Sequence, residues 1–322
     1  MARRPMLACA MSRAVVARAY GGPEALAVVE AQVAPPGPGE VLVEVRAAGV
    51  NPADWKRYSG LWGTDPSRLP MRLGYEVAGV VLEAGPDVER AVGDEVIAWP
   101  VAGGYAERLV VPARVLAPRP AGLSWAQSAG LLLSGAAAVH LLTATRVGPD
   151  DVVLVHGGSG GVGRLAVQLA VLARARVVAT ASPASHDDLR QLGAHPVAYG
   201  PGLLDRLEAI TAQTGPFTAA LDTVGADEAL DASVALVEDR SRIATIAGFD
   251  RAAELGIAAL GAGAGADPGD DIRDAARSRL ARLADEGVLD VTVSRTYPLD
   301  DAGRAHADSR GGHPRGKLVL IP

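Results

Sequence analysis

The chain has 322 residues, of which 49% are hydrophobic, so it can bury a large core, and its length favours two domains over one. A net charge of −6 gives no general attraction to nucleic acid, and no stretch approaches the roughly 18–20 uninterrupted apolar residues of a membrane-spanning helix. The first residues, MARRPMLACAMSRAVV, lack the apolar segment of a signal peptide. We therefore expect a cytoplasmic protein that binds a small molecule, with no nucleic acid and no membrane.

Cys9 is the only cysteine, which excludes an internal disulfide and any Cys-rich zinc site. Residues 1–10 show no periodicity and are predicted to form a disordered extension. Up to about residue 120, short β-type runs alternate with turns rich in glycine and proline, which predicts a barrel-type β domain. The runs are VLVEVRAAGV (41–50), AGVVLEAG (78–85), DEVIAWP (94–100) and AERLVVPARVLAP (106–118).

From about residue 124 an Ala- and Leu-rich helical stretch is followed by strands and helices that alternate at βαβ spacing. The strands are apolar enough to be covered by helices on both faces, so the predicted fold class is α/β with a doubly wound parallel sheet. The predicted strands are DVVLVH (151–156), RVVATA (176–181), HPVAYG (195–200), FTAALDTVG (217–225) and SRIATIAGF (241–249).

The last part of the chain contains a glycine-rich stretch, one amphipathic helix, IRDAARSRLARLADEG, and two strand-like runs, VTVSRTYPL and GKLVLIP. We expect these two strands to return to the first domain. The predicted domains are therefore a discontinuous one, residues 11–121 with 250–322, and a continuous one, residues 122–249.

Five glycines fall within LVHGGSGGVG, residues 154–163, directly after a predicted strand. Gly158, Gly160 and Gly163 have G-x-G-x-x-G spacing, and a helical stretch follows them. In this context the glycines allow a tight turn and let backbone N–H groups approach a pyrophosphate at the helix N-terminus. The alternative is a flexible glycine-rich turn, but the strand, the helix and the βαβ repeats favour a dinucleotide site.

The type of dinucleotide depends on the end of the second strand, where a carboxylate would bind a ribose 2′-OH and repel a 2′-phosphate. RVVATA is followed by SPASH, with no carboxylate before Asp187. The side chains of Ser182, Ser185 and His186 can donate to a phosphate, and Arg190 lies a turn away, which predicts NADP(H) rather than NAD(H). The alternative is that these residues cap a helix, Ser185 in particular.

A family resemblance is carried by several segments together: GVNPADWKRYSG, LGYEVAGVVLEAG, VGDEV, GGYAERLVVP, LVHGGSGGVGRLAVQLA, LDTVG and GKLVLIP. From Met11 onward the chain resembles the quinone oxidoreductase, or zeta-crystallin-like, branch of the medium-chain dehydrogenase/reductase superfamily. The resemblance implies a GroES-like catalytic domain, a Rossmann domain spanning residues 122–249, a nicotinamide in the cleft between them, and a homodimer.

Zinc alcohol dehydrogenases belong to the same superfamily, but this chain departs from them at the matched positions. Asn51 stands where they carry the first zinc cysteine, and Tyr75 stands where they carry the histidine of GHE. The third ligand cysteine is missing from LLLSG, and the four-cysteine lobe is missing as well. Because amide and phenol groups do not replace thiolate and imidazole as zinc ligands, we expect no metal.

Without zinc, the expected chemistry is hydride transfer to an electron-poor acceptor, a quinone or a conjugated enone, oriented by the protein. Asn51 matches the family asparagine near the nicotinamide, and its amide can donate to substrate or cofactor. Tyr58 and Tyr75 are candidate phenol donors, and Asp54 is a candidate for orienting neighbouring groups. The alternatives are that Asn51 caps a turn, that Tyr58 packs in the core, and that Asp54 caps the helix holding Trp55.

The resemblance also implies a set of cofactor contacts. The pyrophosphate contacts are Ser159, Gly160, Gly161 and Val162, within the turn that runs from Gly158 to Gly163. The contacts near the adenosine ribose and its phosphate are Thr180, Ser182, His186 and Tyr199. Further contacts lie at two later strand ends: Thr223, Val224, Ala247, Gly248 and Phe249. Lys317 either meets the cofactor with its charge or is a solvated strand residue.

Two departures from the family pattern bear on function. Ala137 stands where relatives carry a threonine near the nicotinamide, and the segment ELGIAALGAGAGADPGD is short and glycine-rich where relatives build the substrate mouth. His140 is interpreted as a packing or capping residue. We expect an NADPH-dependent quinone or enone reductase; the alternatives are an enoyl reductase acting on a polyketide-like intermediate and a cofactor-binding protein without redox turnover.

Overall fold

A computed structural model describes residues 10–312 and 314–322, without the side chain of Ala10. Ala10 already belongs to the first strand, whereas the rest of the predicted disordered extension, residues 1–9, lies outside the described residues. The strands are β1 Ala10–Ala17, β2 Leu26–Val33, β3 Glu40–Val50, β4 Met71–Arg72, β5 Val77–Ala84, β6 Glu95–Ala98, β7 Arg108–Pro112, β8 Leu116–Pro118, β9 Val152–His156, β10 Arg176–Ala181, β11 Ala194–Ala198, β12 Ala219–Asp222, β13 Ile243–Thr245, β14 Ala258–Ala259, β15 Val293–Pro298 and β16 Lys317–Ile321. The α-helices are α1 Pro52–Tyr58, α2 Trp125–Ser128, α3 Leu132–Ala144, α4 Gly161–Leu172, α5 His186–Gln191, α6 Leu203–Thr214, α7 Asp227–Leu236, α8 Phe249–Leu255, α9 Asp270–Asp285 and α10 Ala302–Arg310.

The chain divides into two compact units. The first contains the described residues up to 133, with 284–286 and 293–322, and the second contains 134–283 and 287–292. The division differs from the predicted domain boundaries at both ends of the second domain. Residues 250–283 belong to the second unit because β14 continues its parallel sheet beside β13. As predicted, the last strands, β15 and β16, return to the first unit.

The first unit is built around β3, which pairs with three other strands. Its seven-stranded sheet has the order β15-β16-β3-β5-β6-β8, with β7 also paired to β3, and a smaller sheet has the order β2-β1-β4. Val41, Val43 and Val45 are buried while the residues between them are partly exposed, which is the period-2 pattern of a strand with one buried face. This unit confirms the predicted GroES-like β domain.

Two of the three strands that pair with β3 determine which residues surround its carboxyl end. β16 runs antiparallel to β3 with Leu318 opposite Val50, and β5 runs antiparallel with Val77 opposite Ala48. Continuing each register by one residue places Lys317 beside Asn51, which directly follows β3, and Glu76 beside Gly49. Two side chains more than 200 residues apart in the chain therefore meet at one corner of the sheet.

The second unit has the doubly wound α/β fold that the sequence predicts. Its parallel sheet has the order β11-β10-β9-β12-β13-β14, with the glycine-rich turn directly after the central strand β9. All five residues of β9 are buried, as expected for a strand covered on both faces. In such sheets the carboxyl ends of the strands form the ligand-binding edge.

One stretch of the described chain, Trp125–Ala144, is long and apolar enough to cross a membrane by length and composition. Two thirds of it, 67%, is buried inside the protein, as in the core helix of a folded domain. The stretch coincides with the Ala- and Leu-rich region for which the sequence predicts helix.

Candidate functional site

The glycine-rich turn after β9 leaves room for a ligand at the start of α4. Gly157 has a φ of +76°, and a Cβ on Gly163 would overlap the carbonyl oxygen of Gly157, so both positions require glycine. Helical hydrogen bonding begins with the Arg164 N–H, which donates to the carbonyl of Gly160 at 3.0 Å. The N–H groups of Gly161, Val162 and Gly163 precede this bond and are therefore available to an anion.

Gly160 differs from Gly163 in its surroundings. It is the N-cap of α4 with φ −77°, a conformation open to any residue, and a Cβ there would come no closer than 3.4 Å to Gly157 O. The fold therefore does not need glycine at this position, whereas a ligand approaching the backbone would. This cradle, with three available N–H groups, fits the pyrophosphate of a dinucleotide.

A row of buried polar residues crosses the sheet beside the turn. Thr180, His156, Asp222 and Thr245 stand opposite one another on four adjacent strands, and none is more than 2% exposed. Nδ1 of His156 lies 3.3 Å from Oγ1 of Thr180, and its Nε2 lies 3.1 Å from Oγ of Ser233. Because burial lowers the pKa of His156, the imidazole is neutral at pH 7.

This row positions the loops that carry the predicted cofactor contacts. The carboxylate of Asp222 accepts hydrogen bonds from the N–H groups of Val224 (3.0 Å) and Gly225 (3.0 Å). The hydroxyl of Thr245 donates to Asp222 and accepts from the N–H groups of Ala247 (3.1 Å) and Gly248 (2.9 Å). Sequence reasoning missed these supporting roles, although each residue is the one polar side chain that ends an apolar strand.

Two of the predicted contact residues have their hydroxyl groups engaged within the protein. Thr180 is buried, and its Oγ1 accepts the N–H of Gly157 at 3.2 Å. Thr223 donates from Oγ1 to the carbonyl of His156 at 2.7 Å. Both side chains therefore stabilise the glycine-rich turn, and neither hydroxyl hydrogen-bonds only to a ligand.

The other predicted contacts lie at the same edge of the sheet. Val224 is 53% exposed and Tyr199 is 48% exposed, so both side chains are accessible to a ligand. His186 places Nε2 3.3 Å from the carbonyl of Ala181, and Ser182 directly follows β10. Phe249 begins α8, and its ring fills the space that a Cβ on Gly263 would need.

In the first unit, Asn51 is surrounded by charged groups. The Lys317 ammonium donates to Oδ1 of Asn51 and, at 2.9 Å, to Oε1 of Glu76. Because an ammonium only donates, this contact identifies the oxygen of the Asn51 amide. The amide nitrogen then donates to Glu76 Oε1 at 3.1 Å and to the carbonyl of Gly49 at 3.3 Å.

Lys317 and Glu76 form a buried ion pair. Lys317 is 4% exposed and Glu76 is 1% exposed, and the second carboxylate oxygen of Glu76 accepts the N–H of Leu133 at 2.9 Å. A Cβ on Gly49 would overlap the Glu76 carboxylate, so this glycine makes room for the pair. The alternative of a solvated Lys317 is wrong, and sequence reasoning missed Glu76 although it stands alone among apolar residues in GYEVAG.

Asp54 holds the loop that ends β3. It is the third residue of α1, and its carboxylate accepts the N–H of Asn51 at 2.8 Å and that of Gly74 at 3.2 Å. Asp54 therefore helps to cap α1, as the alternative expects, but it does so as the third helical residue of a capping box, and the N-cap residue is Asn51. Burial raises the pKa of Asp54 to about 7, opposed by hydrogen bonds from the Asn51 N–H and the Tyr105 hydroxyl.

Tyr58 lies in the core. It is fully buried, with its hydroxyl 2.9 Å from Nδ1 of His306, and Nε2 of His306 lies 3.1 Å from the hydroxyl of Tyr105. Burial lowers the pKa of His306 to about 4, so this imidazole is neutral at pH 7. These contacts correct the expectation that Tyr58 offers its phenol to a substrate, and they agree with the packing alternative.

Tyr75 is partly exposed, unlike Tyr58. Its hydroxyl accepts a hydrogen bond from Nη1 of Arg57 at 3.2 Å, and the Arg57 guanidinium lies 5.7 Å from the ring centroid. Tyr75 therefore keeps its hydroxyl hydrogen free to donate. Of the two tyrosines, only Tyr75 has the exposure that a phenol donor needs.

The residues present do not fit a zinc ion. The oxygen of Asn51 already carries the Lys317 ammonium, and the hydroxyl of Tyr75 already accepts from the Arg57 guanidinium. Asn51 and Tyr75 thus each contact a positively charged group, which would repel a metal cation bound at the same atom. Within residues 10–312 and 314–322, no group of three or more His, Cys, Asp or Glu side chains is arranged to hold a metal.

His140 has a structural environment, as expected. Its Nδ1 accepts a hydrogen bond from Nε of Arg273 at 3.2 Å, so the proton of the neutral ring lies on Nε2, which donates to Asp267 at 3.3 Å. A Cβ on Gly269 would overlap the imidazole. His140 thus joins α3 to the loop that precedes α9.

Comparison with known families gives two matches. Residues 37–121 match the alcohol dehydrogenase GroES-like domain, and residues 192–320 match the zinc-binding dehydrogenase family.

Individual proteins resemble most of the chain. Quinone oxidoreductase from Pseudomonas aeruginosa is 31% identical over 331 residues, covering 97% of this chain and 100% of that protein. Polyketide synthase GfsB from Streptomyces halstedii is 34% identical over 299 residues, which are 90% of this chain but only 5% of the synthase. A mycobacterial protein solved in complex with NADPH has a TM-score of 0.83 and 30% identity, with 97% of this chain and 100% of that one covered.

Proposed function

The chain belongs to the quinone oxidoreductase branch of the medium-chain dehydrogenase/reductase superfamily, and from this premise we propose that it transfers hydride from NADPH to a quinone or a conjugated enone without zinc. Members of this superfamily are NAD(P)-dependent oxidoreductases. The observation that supports the proposal most directly is a pair of contacts: Lys317 donates to Asn51, and Arg57 donates to Tyr75. Two positively charged side chains therefore lie against residues whose positions match the metal ligands of a zinc dehydrogenase.

The choice of NADPH is supported by the end of β10. The first carboxylate after this strand, Asp187, is 91% exposed and pairs with Arg190 at 2.6 Å. Residues 180–186, all of which the structure describes, contain no Asp or Glu. This strand end thus lacks the carboxylate that would bind a ribose 2′-OH and repel a 2′-phosphate. The solved relative in complex with NADPH points the same way.

In this reaction the nicotinamide supplies a hydride, and one proton from solvent or a side chain completes the reduction of the acceptor. The protein's part is to bind and orient. The Asn51 amide can donate to the developing oxyanion if it releases the Gly49 carbonyl, the longer of its two bonds at 3.3 Å. Lys317 holds the amide oxygen, so the nitrogen stays directed away from the ammonium. Tyr75 is the second candidate donor.

The test is oxidation of NADPH and NADH, followed at 340 nm, with a panel of quinones and enones in the presence of EDTA. We expect turnover that prefers NADPH by at least tenfold in kcat/KM and is unchanged by the chelator. Preference for NADH would contradict the cofactor assignment, and loss of turnover with EDTA would contradict the metal-free mechanism.

A second candidate function is reduction of an enoyl thioester in a biosynthetic pathway. It is favoured by the 34% identity to Polyketide synthase GfsB over 299 residues. An enoyl-N-acetylcysteamine thioester in the same assay separates the two: faster turnover than with any quinone would assign the pathway substrate. Tight NADPH binding without turnover of any acceptor would instead support a non-redox role.

We also propose a cytoplasmic homodimer. The single cysteine agrees with a cytoplasmic location. For dimerisation, β14 is an edge strand with a single partner, β13, in the described part of the sheet. Light scattering at several concentrations tests the assembly, and a constant monomer mass would overturn it.

A further inference from the structure

Arg164 is a buried cation whose hydrogen bonds are incomplete. It directly follows Gly163 in the first turn of α4 and is 7% exposed. Its Nε and Nη1 atoms have no hydrogen-bond partner among the described residues. Asp188 places Oδ2 3.8 Å from Nη1, which is beyond hydrogen-bond range. Buried guanidinium groups are normally satisfied, so these donors call for an acceptor that binds there.

A second unsatisfied donor lies on the helix that Arg164 approaches. Ser185 precedes α5, is fully buried, and makes neither a cap hydrogen bond nor any other through its hydroxyl among the described residues. It is three residues from Asp188, and so one helical turn from the carboxylate nearest to Arg164. Ser185 thus occupies the N-cap position of α5, as the helix-capping alternative expects, but its hydroxyl does not make the cap hydrogen bond.

Both donors belong to the corner where a dinucleotide places its adenosine ribose. The Gly158 N–H donates to the carbonyl of Thr180 at 2.9 Å, which brings the glycine-rich turn against the end of β10. A Cβ on Gly158 would contact Leu189 of α5 at 3.4 Å. The turn, the strand end and α5 thus converge, and the ribose of a dinucleotide binds at the end of this second strand.

We infer that Arg164 determines cofactor specificity by binding the 2′-phosphate of NADPH, with the Ser185 hydroxyl as a second donor. This inference rests on the proposed function and names the residues behind its cofactor preference. A guanidinium forms strong, charge-assisted hydrogen bonds with phosphate. Asp188, whose side chain is 45% exposed, competes for the same cation and turns to solvent when the phosphate binds.

The test is equilibrium binding of NADPH, NADH, adenosine 2′,5′-bisphosphate and AMP by titration calorimetry. We expect Arg164→Met to weaken NADPH and the bisphosphate about 10- to 100-fold while NADH and AMP change less than about twofold. Unchanged NADH binding also shows that the variant folds. Asp188→Asn removes the competing carboxylate and should tighten NADPH about threefold or more without affecting NADH.

Arg190→Met is the matched control, because Arg190 is 58% exposed and pairs with Asp187 only a few residues away. It should leave the ratio of NADPH to NADH affinity within about twofold. If the wild-type protein prefers NADPH but Arg164→Met keeps that preference, or Asp188→Asn weakens NADPH, the inference is overturned and the proposed function stands. If the wild-type protein shows no preference for NADPH, the cofactor assignment itself is overturned.

Discussion

The two units each bury a polar group of residues near the predicted site, but they use it differently. In the second unit, the row of Thr180, His156, Asp222 and Thr245 holds backbone N–H groups of three loops. In the first unit, Lys317 and Glu76 hold a side chain, that of Asn51. The backbone N–H groups of the second unit suit the phosphates of a dinucleotide, whereas the donor in the first unit is a side-chain amide. The first arrangement therefore fixes loop shape, and the second fixes the direction of one amide.

The largest effect is expected from breaking the charged pair of the first unit. Lys317→Met leaves Glu76 buried without its counter-charge, so the free energy of unfolding should fall by about 3–5 kcal/mol. Glu76→Met combined with Lys317→Met should restore more than half of the loss, as measured by urea denaturation. The exposed pair Arg46–Glu44 is the control, since Arg46→Met should cost less than about 1 kcal/mol. Equal losses for Lys317→Met and Arg46→Met would contradict the comparison.

Asp222 tests the row in the second unit. Asp222→Asn keeps the shape but replaces one acceptor oxygen by an amide nitrogen, which cannot accept from both the Gly225 N–H and the Thr245 hydroxyl as Oδ2 does. The free energy of unfolding should fall by about 2–3 kcal/mol, and NADPH binding should weaken. Asp227→Asn, at a side chain that is 75% exposed, should change stability by less than about 0.5 kcal/mol. An Asp222→Asn variant with unchanged cofactor affinity would show that the row does not position the loops.

In the glycine-rich turn, the fold requires glycine at position 163, whereas only ligand binding requires glycine at position 160. Gly163→Ala would place its Cβ against Gly157 O, so stability should fall by about 1–3 kcal/mol. Gly160→Ala meets no close protein atom and should leave stability unchanged, yet it should weaken dinucleotide binding at least about tenfold by occupying the cradle. Thermal melting and calorimetry measure the two effects. Equal melting temperatures for both variants would refute this distinction.

A smaller effect is the pH dependence of stability, where Asp54 and His306 of the first unit act in opposite directions. Between about pH 4 and 7 the folded protein holds a proton on Asp54 that the unfolded chain has released, so Asp54 makes stability fall as the pH rises. Between about pH 4 and 6.5 the unfolded chain holds a proton that folded His306 excludes, so His306 makes stability rise with pH.

Replacing either residue should therefore change the slope of the free energy of unfolding against pH. Relative to the wild-type protein, stability should rise more steeply with pH in Asp54→Asn and less steeply in His306→Asn, by on the order of 1 kcal/mol per pH unit. Urea denaturation at pH 4.5, 5.5 and 6.5 measures the slopes. If Asp54→Asn and His306→Asn change the slope in the same direction, the prediction that the two residues have opposite effects is wrong.

Much of the fold was predictable because its signals are local. The apolar run of β9, the glycines after it and the helix α4 lie within residues 152–172, and the structure confirms all three. The boundary near residue 250 was not predictable in this way. β14 has only two residues, too few to show a period, and its place in the second unit depends on pairing with β13.

The candidate site was predictable only in part. Asn51 and Asp54 lie in one short motif, and the structure joins them through a hydrogen bond of 2.8 Å. Glu76 stands in an apolar segment with no sign of its partner, because Lys317 is 241 residues away. Tyr58 shares the motif of Asn51, yet its side chain enters the core toward His306. Proximity in sequence therefore did not indicate which side chain faces a ligand.

The sequence by itself determined the fold class, the family and the glycine-rich cradle, since each depends on the spacing of residues that are neighbours in the chain. Only the tertiary structure decided that Lys317 is buried against Asn51, that Tyr58 is not exposed, and that Nε and Nη1 of Arg164 have no hydrogen-bond partner among the described residues. The physical reason is that burial and charge pairing depend on strand register and helix packing, which bring together side chains from distant parts of the chain.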